Sequence, residues 1–308
     1  MARPDRDGIR QANVRYHDLA AEHYDSKWGI NYGGVGQAQV TGKLRKALGH
    51  EPGRYERALE IGAGTGYFTL NLLRAGVVGE AVATDISPGM LTRLERSAAE
   101  LGVAVETVAC EAAELPFEDD SFDLVFGHAV LHHLPDLAAA FREFRRVLRP
   151  GGVVAFCGEP SHYGDRIAEW PKRGASAMAP LWRALMGARP RSSSNGHDHD
   201  HDGWSEEDRL EQVVDVHAFT PAELASHTAA AGFGDVRVSG EELVAGLFGW
   251  ANRTLESTAD PLDVPWAWRV YAYRGYLLLQ TLDRSLLEPR LPAALFYNLL
   301  LSARAPAR

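Results

Sequence analysis

Three closely spaced glycines follow an acidic residue in the run Glu60-Ile-Gly-Ala-Gly-Thr-Gly66. Glycines let the backbone approach a ligand closely and adopt conformations that other residues avoid. The Gly-x-Gly-x-Gly spacing differs from the Gly-x-Gly-x-x-Gly pattern of dinucleotide-binding turns. A carboxylate two positions before the first glycine suits an ammonium group and would repel a pyrophosphate. The run therefore favours a ligand with an amino-acid moiety.

A second acidic residue, Asp85, ends the next predicted strand, about twenty residues after the glycines. A carboxylate at this place can accept hydrogen bonds from both hydroxyls of a ribose. The alternative is that it caps the following helix, but Ser87 is better placed for that. We therefore predict that Asp85 binds a ribose.

Several histidines lie in the run His128-Ala-Val-Leu-His-His-Leu-Pro-Asp136, after the fourth predicted strand. Ligands of open α/β sheets bind at the carboxyl ends of the strands. A neutral imidazole there can act as a general base, and His132 is a stronger candidate than His133. Alternatively, one imidazole packs on the ligand and the other bonds local backbone. Three further base candidates follow later strands or insertions: Glu159, His162 and His217.

Short apolar runs alternate with helical periodicity along most of the chain. This alternation predicts a parallel, doubly wound α/β sheet with helices on both faces. An N-terminal helical region is predicted over 13–48, and a later helix, 167–186, is predicted to be interrupted by Pro171 and Pro180. The predicted strands cover residues 57–61, 80–85, 103–109, 122–127, 153–157, 235–239 and 295–302.

Composition excludes several classes of protein. The chain has 308 residues and a net charge of −9, with no basic block, so nucleic acid is a poor partner. Its two cysteines, Cys110 and Cys157, provide no disulfide framework. We find neither an apolar signal core nor an apolar run long enough to span a bilayer. We therefore expect a soluble cytoplasmic protein without stable membrane insertion, and a homodimer is left open.

Four motifs in order carry a family resemblance: 59–66 with the glycines, Thr84-Asp-Ile-Ser-Pro-Gly-Met-Leu91, Glu114-Leu-Pro-Phe-Glu-Asp-Asp-Ser-Phe-Asp123 and Val147-Leu-Arg-Pro-Gly-Gly152. Together they resemble the class I S-adenosylmethionine (SAM)-dependent methyltransferases, in particular the type 11 group with the ubiquinone and menaquinone biosynthesis methyltransferases. The resemblance implies SAM as cofactor. It also implies a Rossmann-like, doubly wound, seven-stranded sheet with the last strand antiparallel, a helical N-terminal lid and two cap insertions.

The same resemblance implies a set of cofactor-binding residues. The methionine end of SAM would lie at the first motif, the ribose on Asp85, and the adenine near Glu111 and the amide of Ala112. The family more often has Asp where Glu111 stands. Ile86 and Met90 would sandwich the adenine or would simply be core. The complete predicted set is Tyr16, Tyr24, Glu60, Gly62, Ala63, Gly64, Gly66, Asp85, Ile86, Met90, Glu111, Ala112 and His128.

The N-terminal aromatics Tyr16, Tyr24 and Trp28 lie where the family folds a helix over SAM, and an aromatic face suits a sulfonium cation. Alternatively, they only anchor the helix. The Leu-His-His-Leu-Pro-Asp run resembles that of natural-product sugar O-methyltransferases, in which such a histidine is the proposed base. These features predict methyl transfer to a hydroxyl of a small natural product, quinone or lipid-like acceptor. C-methylation at an activated carbon and a SAM-binding module without turnover are the alternatives.

The predicted organisation is a lid (1–50), a SAM-binding core (51–158, 217–240 and 293–308) and two insertions. The first insertion, 159–216, contains His197-Asp-His-Asp-His-Asp202, which could ligate a metal, but its Ser and Gly flanks favour a solvated loop without one. The second, 241–292, is rich in aromatic residues. It could be a substrate cap, a dimer surface or a lipid-facing patch, and we favour the cap.

Overall fold

The structure is a computed structural model that describes residues 6–21, 30–191, 210, 213–214 and 216–307. The predictions for Tyr24, Trp28 and the His197–Asp202 run lie outside the described residues.

Strands and helices alternate through the first half of the chain. The strands are β1 (Tyr55–Ile61), β2 (Val78–Asp85), β3 (Glu106–Ala109), β4 (Phe122–His128), β5 (Leu148–Pro160), β6 (Gly234–Glu241) and β7 (Asn298–Arg304). The described α-helices are α1 (Arg6–Ala20), α2 (Gly34–Leu48), α3 (Tyr67–Arg74), α4 (Pro88–Leu101), α5 (Leu137–Val147), α6 (His162–Met186), α7 (Pro221–Ala230), α8 (Val244–Ser257) and α9 (Trp266–Leu282). Short turns of other helix types cover Leu131–His133, Asp283–Leu287 and Ala293–Leu295.

The strands form one seven-stranded sheet in the order β3-β2-β1-β4-β5-β7-β6. Strands β1 to β5 are parallel, and β1 lies between β2 and β4, with Ala58 opposite both Ala81 and Leu124. Strand β7 runs antiparallel to β5, since Gly151 bonds Ala305 while Ser161 bonds Tyr297. The predicted fold class, including the antiparallel last strand, is confirmed.

The strand order reverses between β1 and β4, and this reversal places the ligand crevice. At such a point in a doubly wound sheet, the loops that follow the two neighbouring strands run to opposite faces of the sheet. A crevice opens between these loops at the carboxyl ends of the strands. The two strands are buried on both faces, as Leu59, Leu124 and Val125 show, because helices cover the parallel sheet on each side.

Local signals explain where several helices begin. Ser87 caps α4 by accepting a hydrogen bond from the Met90 N–H at 3.1 Å. Thr220 and Glu223 form a reciprocal capping box at the start of α7, as their spacing predicts.

Helix α6 corrects one prediction. Pro171 and Pro180 were expected to interrupt it, yet α6 runs through both. Each proline removes one backbone donor and costs up to about 3 kcal/mol in a helix interior. The buried residues Ala168, Ala175 and Ala179 keep helical spacing on both sides of the prolines, so packing of this face outweighs the local cost.

Other boundaries differ because strand pairing decides where a strand begins. Strand β3 starts at Glu106, where it meets Val82 of β2, and not at residue 103. Strand β7 starts at Asn298 because residues 293–295 form a short 3₁₀ turn. Helix α1 begins at Arg6, earlier than predicted.

The chain divides into two compact units. Unit 1 comprises Met1–Glu159, Trp204–Val238 and Leu300–Arg308, and it contains the glycine turn and the histidine run. Unit 2 comprises Pro160–Gly203 and Ser239–Leu299, in which α8 packs against both α6 and α9. Among the described helices, none has the length and apolarity that a bilayer-spanning segment needs.

Candidate functional site

The three glycines after β1 have different structural roles. All have positive φ, at 63°, 53° and 90° for Gly62, Gly64 and Gly66. A Cβ on Gly62 would lie 2.4 Å from a Val130 methyl carbon, and one on Gly66 would lie 2.7 Å from Leu94 Cγ. A Cβ on Gly64 would have no atom within 4 Å. Gly62 and Gly66 therefore permit close packing, whereas Gly64 borders open space that a ligand can fill.

Asp85, at the end of β2, holds the glycine turn in place. Its Oδ2 accepts a hydrogen bond from the Gly64 N–H at 2.8 Å, and its Oδ1 accepts one from the Ser87 N–H at 2.8 Å. A carboxylate has about four acceptor sites, so these contacts leave capacity for ribose hydroxyls. Next to it, Ala63 donates its N–H to the Thr84 carbonyl at 2.8 Å. Asp85 thus shapes the backbone on which the predicted ligand would lie.

Glu60 lies deeper than its predicted role suggests. The side chain is buried between β1 and α3, where Thr69 donates both its N–H (3.0 Å) and its hydroxyl to Oε2. Burial raises the pKa of Glu60 to about 8, and the Thr69 hydrogen bonds only partly oppose this effect. The raised pKa favours the protonated form of Glu60, and its contact with a ligand ammonium stays a prediction.

A cleft of about 640 Å³ lies between α1 and the carboxyl ends of β2 and β3. Two predicted cofactor residues, Ile86 and Glu111, line it. Ala112 follows Glu111 and is half-buried, whereas Met90 is fully buried against Ala20 and Ala21. The lining also includes residues that the sequence reasoning missed: Arg10, Gln11, Val14, Arg15, Asp18, Ala109, Cys110 and Glu114.

The missed residues on α1 had a detectable signal. Val14 and Arg15 each lie three or four residues from both Gln11 and Asp18, which places the four residues on one helix face. The pattern shows the shared face but not what the face covers.

Two side chains of α1, Arg10 and Asp18, make polar contacts across the cleft. Arg10 donates to Glu111 Oε1 at 2.5 Å, which raises the pKa of the Arg10 guanidinium. Asp18 Oδ1 accepts from the Ser87 hydroxyl at 2.5 Å and from the Gly89 N–H at 3.1 Å, at the start of α4. Tyr16, predicted to contact the cofactor, is buried with its ring edge-on to His17 at 5.0 Å.

The histidine run after β4 is organised by Glu159, at the end of β5. Glu159 is fully buried, and its Oε1 accepts the N–H groups of Val130 and Leu131, each at 3.0 Å. Its Oε2 accepts from the His132 N–H at 3.1 Å and from the His132 Nδ1 at 2.9 Å. One carboxylate therefore orders three consecutive amides and one imidazole.

The hydrogen bonds to Glu159 favour its ionised form in spite of its burial. Burial by itself would raise the pKa of Glu159, but the hydrogen bond and the electrostatic interaction with His132, together with the amides of Leu131 and Val130, lower it. An ionised carboxylate only accepts hydrogen bonds, so the proton between the two side chains is on Nδ1 of His132. This tautomer leaves the lone pair on Nε2.

His133 lies beside His132, with ring centroids 3.9 Å apart. Its Nδ1 donates to the Val214 carbonyl at 3.0 Å. Burial, together with electrostatic interactions with His132 and His17, lowers the pKa of His133 well below its usual value. His133 is therefore neutral at neutral pH.

The side chains of the other predicted histidines have different partners, although the backbone N–H of His217 donates to the His132 carbonyl at 3.1 Å. His217 donates Nε2–H to the Leu134 carbonyl at 3.0 Å and stacks on Phe219. His128 stacks on Phe68 with centroids 4.7 Å apart. His162 is an exposed residue at the start of α6. Within the described part of the chain, no cluster of three or more His, Cys, Asp or Glu side chains is arranged to hold a metal.

Comparison with known proteins gives three consistent likenesses. Residues 59–156 match the family model described as a methyltransferase domain. The chain is 36% identical over 182 residues to a demethylmenaquinone methyltransferase of Roseiflexus castenholzii, covering 58% of this chain and 73% of that protein. It is 40% identical over 149 residues to a malonyl-(acyl-carrier protein) O-methyltransferase of Halorhodospira halophila, covering 48% of each protein, so it spans about half the length of that relative.

Among solved structures, the chain is similar to phosphoethanolamine N-methyltransferase 2 of Haemonchus contortus in complex with S-adenosyl-L-methionine. The TM-score is 0.58 at 18% identity, over 98% of this chain and 60% of that chain. At this identity the likeness is one of fold.

Proposed function

Because this chain belongs to the class I SAM-dependent methyltransferases, we propose that it methylates a hydroxyl oxygen of a small-molecule acceptor. The acceptor class that we propose is a natural product, quinone or lipid-like compound. The relatives named above act, by their names, on demethylmenaquinone and on malonyl-(acyl-carrier protein), so a hydrophobic or carrier-bound acceptor is consistent with them.

The residues around the cleft fit SAM. When bound, SAM supplies a methyl group on a positively charged sulfur, and its transfer depends mainly on in-line alignment. Gly64 borders open space, and Asp85 has acceptor capacity for ribose hydroxyls. Ile86 and Glu111 offer an apolar and an acidic contact for an adenine ring. The chain would thus hold the nucleoside end in the cleft beneath α1.

The hydrogen bond between His132 Nδ1 and Glu159 carries the proposal of O-methylation. A hydroxyl must lose its proton during methyl transfer, and an imidazole with its lone pair on Nε2 can accept it. The buried Glu159 holds the ring in that tautomer and stabilises the imidazolium that forms. Neutral His133 lies against the ring and adds no positive charge that would oppose protonation.

C-methylation is the second candidate, because removal of a proton from an activated carbon uses the same base. The likeness to a demethylmenaquinone methyltransferase over 73% of that protein's length supports C-methylation as this second candidate. The position of the new methyl group in the product distinguishes the two reactions.

The test uses methyl-labelled SAM with two acceptor sets: quinols that have a free ring carbon, and glycosides of which the only reactive groups are hydroxyls. Nuclear magnetic resonance of the product assigns the methyl to oxygen or carbon. We expect O-methylation, and we expect His132→Gln to abolish turnover while S-adenosylhomocysteine binding is retained. His162→Gln, at an exposed histidine of α6, is the matched control.

Each other result changes the conclusion. Labelled product with the methyl on carbon would replace O-methylation by C-methylation. Tight S-adenosylhomocysteine binding with no labelled product from either set would favour a non-catalytic SAM-binding module. Full turnover by His132→Gln would remove the base assignment.

A further inference from the structure

Helix α9, in unit 2, is rich in large apolar residues and yet has no buried residue along its 17-residue length. It packs along α8, and this contact leaves much of its surface in solvent. Trp266 is 78% exposed and Leu278 is 70% exposed, and Tyr271 and Tyr273 are about half exposed. Contiguous exposed apolar surface on a globular protein marks an interaction site.

Four exposed residues of α9 form one face of the helix. Tyr271, Arg274, Leu278 and Leu282 follow one another at three- and four-residue spacing, so they lie one above the other on the helix. Leu286, in the turn after α9, is also exposed. The helix is roughly 25 Å long at 1.5 Å per residue, which is enough for an extended contact. We call this surface the α9 face.

The α9 face contains one arginine, Arg274, on an acidic protein. Helix α9 has no Asp or Glu, whereas the whole chain has a net charge of −9. The other arginine of the helix, Arg269, lies on the opposite side and donates to the Pro261 carbonyl. The acidic residue that follows, Asp283, is buried and accepts hydrogen bonds from the Val244 and Ala245 N–H groups at 3.1 and 2.9 Å. Its charge is therefore directed at the start of α8 and not at solvent.

These features argue against pairing of two copies through α9. In a two-fold symmetric dimer the same patch meets itself, so Arg274 would approach the partner's arginines. The helix has no carboxylate to pair with them, and like charges across an interface are unfavourable.

A lipid surface with anionic head groups matches all of these features. The side chain of Tyr271 has an apolar ring and a polar atom, which suits the head-group region. The leucines on the same face enter the boundary of the acyl chains, and Arg274 pairs with a lipid phosphate. We propose that the α9 face docks this protein peripherally on anionic lipid bilayers. The proposal is independent of which acceptor the enzyme methylates.

Vesicle flotation tests the proposal with the full-length protein. We expect the protein to float with vesicles of phosphatidylglycerol and phosphatidylcholine but not with pure phosphatidylcholine. Leu278→Ser should lower the partition coefficient at least tenfold, from the lost burial of one leucine side chain. Arg274→Gln should lower it about fivefold, from the loss of one cation near the surface.

Leu185→Ser on α6 is the matched control, because Leu185 is 72% exposed but lies on another helix. All three side chains are exposed, so the fold is expected to survive each change, and circular dichroism checks it. If wild-type protein floats with neither vesicle, the proposal is overturned. An equal loss with Leu185→Ser would move the site away from α9, and a concentration-dependent dimer that Leu278→Ser abolishes would assign the face to self-association.

Discussion

Replacing Glu159 by glutamine is expected to remove catalysis through the tautomer of His132. Glu159 now accepts four hydrogen bonds, three from backbone N–H groups and one from His132 Nδ1. A glutamine has one acceptor oxygen, and its NH₂ group donates. With the oxygen towards Val130 and Leu131, the NH₂ group faces His132 Nδ1. The imidazole then accepts at Nδ1 and carries its proton on Nε2, where it cannot act as a base.

The structure sets the size of both effects. Loss of a general base lowers the turnover rate by about 10²- to 10⁴-fold. The His132 N–H would also be left facing a donor in a buried site, which costs about 1–3 kcal/mol of folding free energy. Glu159→Asp keeps the charge and should restore part of the rate.

The assay combines initial rates of methyl transfer at saturating SAM with ¹⁵N shifts of the His132 ring, which report the tautomer. S-adenosylhomocysteine affinity should be unchanged, because Glu159 does not line the cleft. Glu143→Gln is the control: Glu143 accepts from the Leu115 N–H at 2.9 Å and pairs with Arg146, away from the histidines. If Glu159→Gln changes the tautomer but keeps the rate within about threefold, the base assignment is refuted. If the tautomer does not change, the orienting role is refuted.

Three further predictions concern the cofactor half of the site. Because burial raises the pKa of Glu60 to about 8 in the folded state, the free energy of unfolding should fall as the pH rises from about 4.5 to 8. The expected fall by pH 8 is on the order of 4 kcal/mol, measured by urea unfolding. Glu60→Gln should not show this fall, because glutamine does not ionise. Gly62→Ala should destabilise the fold by about 2–4 kcal/mol, because the new Cβ would collide with Val130 and the residue has a positive φ. Gly64→Ala should destabilise the fold by only about 1 kcal/mol, from its positive φ. The same Gly64→Ala change should weaken S-adenosylhomocysteine binding at least tenfold, as measured by calorimetry. Arg10→Gln should leave the melting temperature unchanged, because the Arg10–Glu111 ion pair is exposed. It should strengthen S-adenosylhomocysteine binding a few-fold at low salt, because Glu111 no longer has to break this ion pair to contact the ligand. Weaker binding would show instead that Arg10 holds α1 over the cleft.

Local patterns in the sequence were sufficient for the fold class and the position of the cleft. A glycine-rich turn, a helix cap and a buried strand each depend on residues within a few positions of one another, so composition and spacing predict them. Ser87 and Thr220 have the local contacts that their positions predict. The same patterns could not distinguish Gly64, which borders open space, from Gly62 and Gly66, which allow packing, because the neighbours Val130 and Leu94 are distant in sequence.

Tertiary structure decided how the site works. Glu159 was one of several base candidates in the sequence, and only folding brings it to His132, 27 residues earlier in the chain. Helix α6 continues through two prolines because its buried face packs, and α1 lies across the cleft, where Arg10 and Asp18 contact partners about a hundred and about seventy residues away. The sequence by itself determined the family and the elements, since short-range backbone preferences specify them. The pairing of the His132 imidazole with the buried Glu159 carboxylate could be identified only in the tertiary structure, because such contacts depend on which chain segments meet in space.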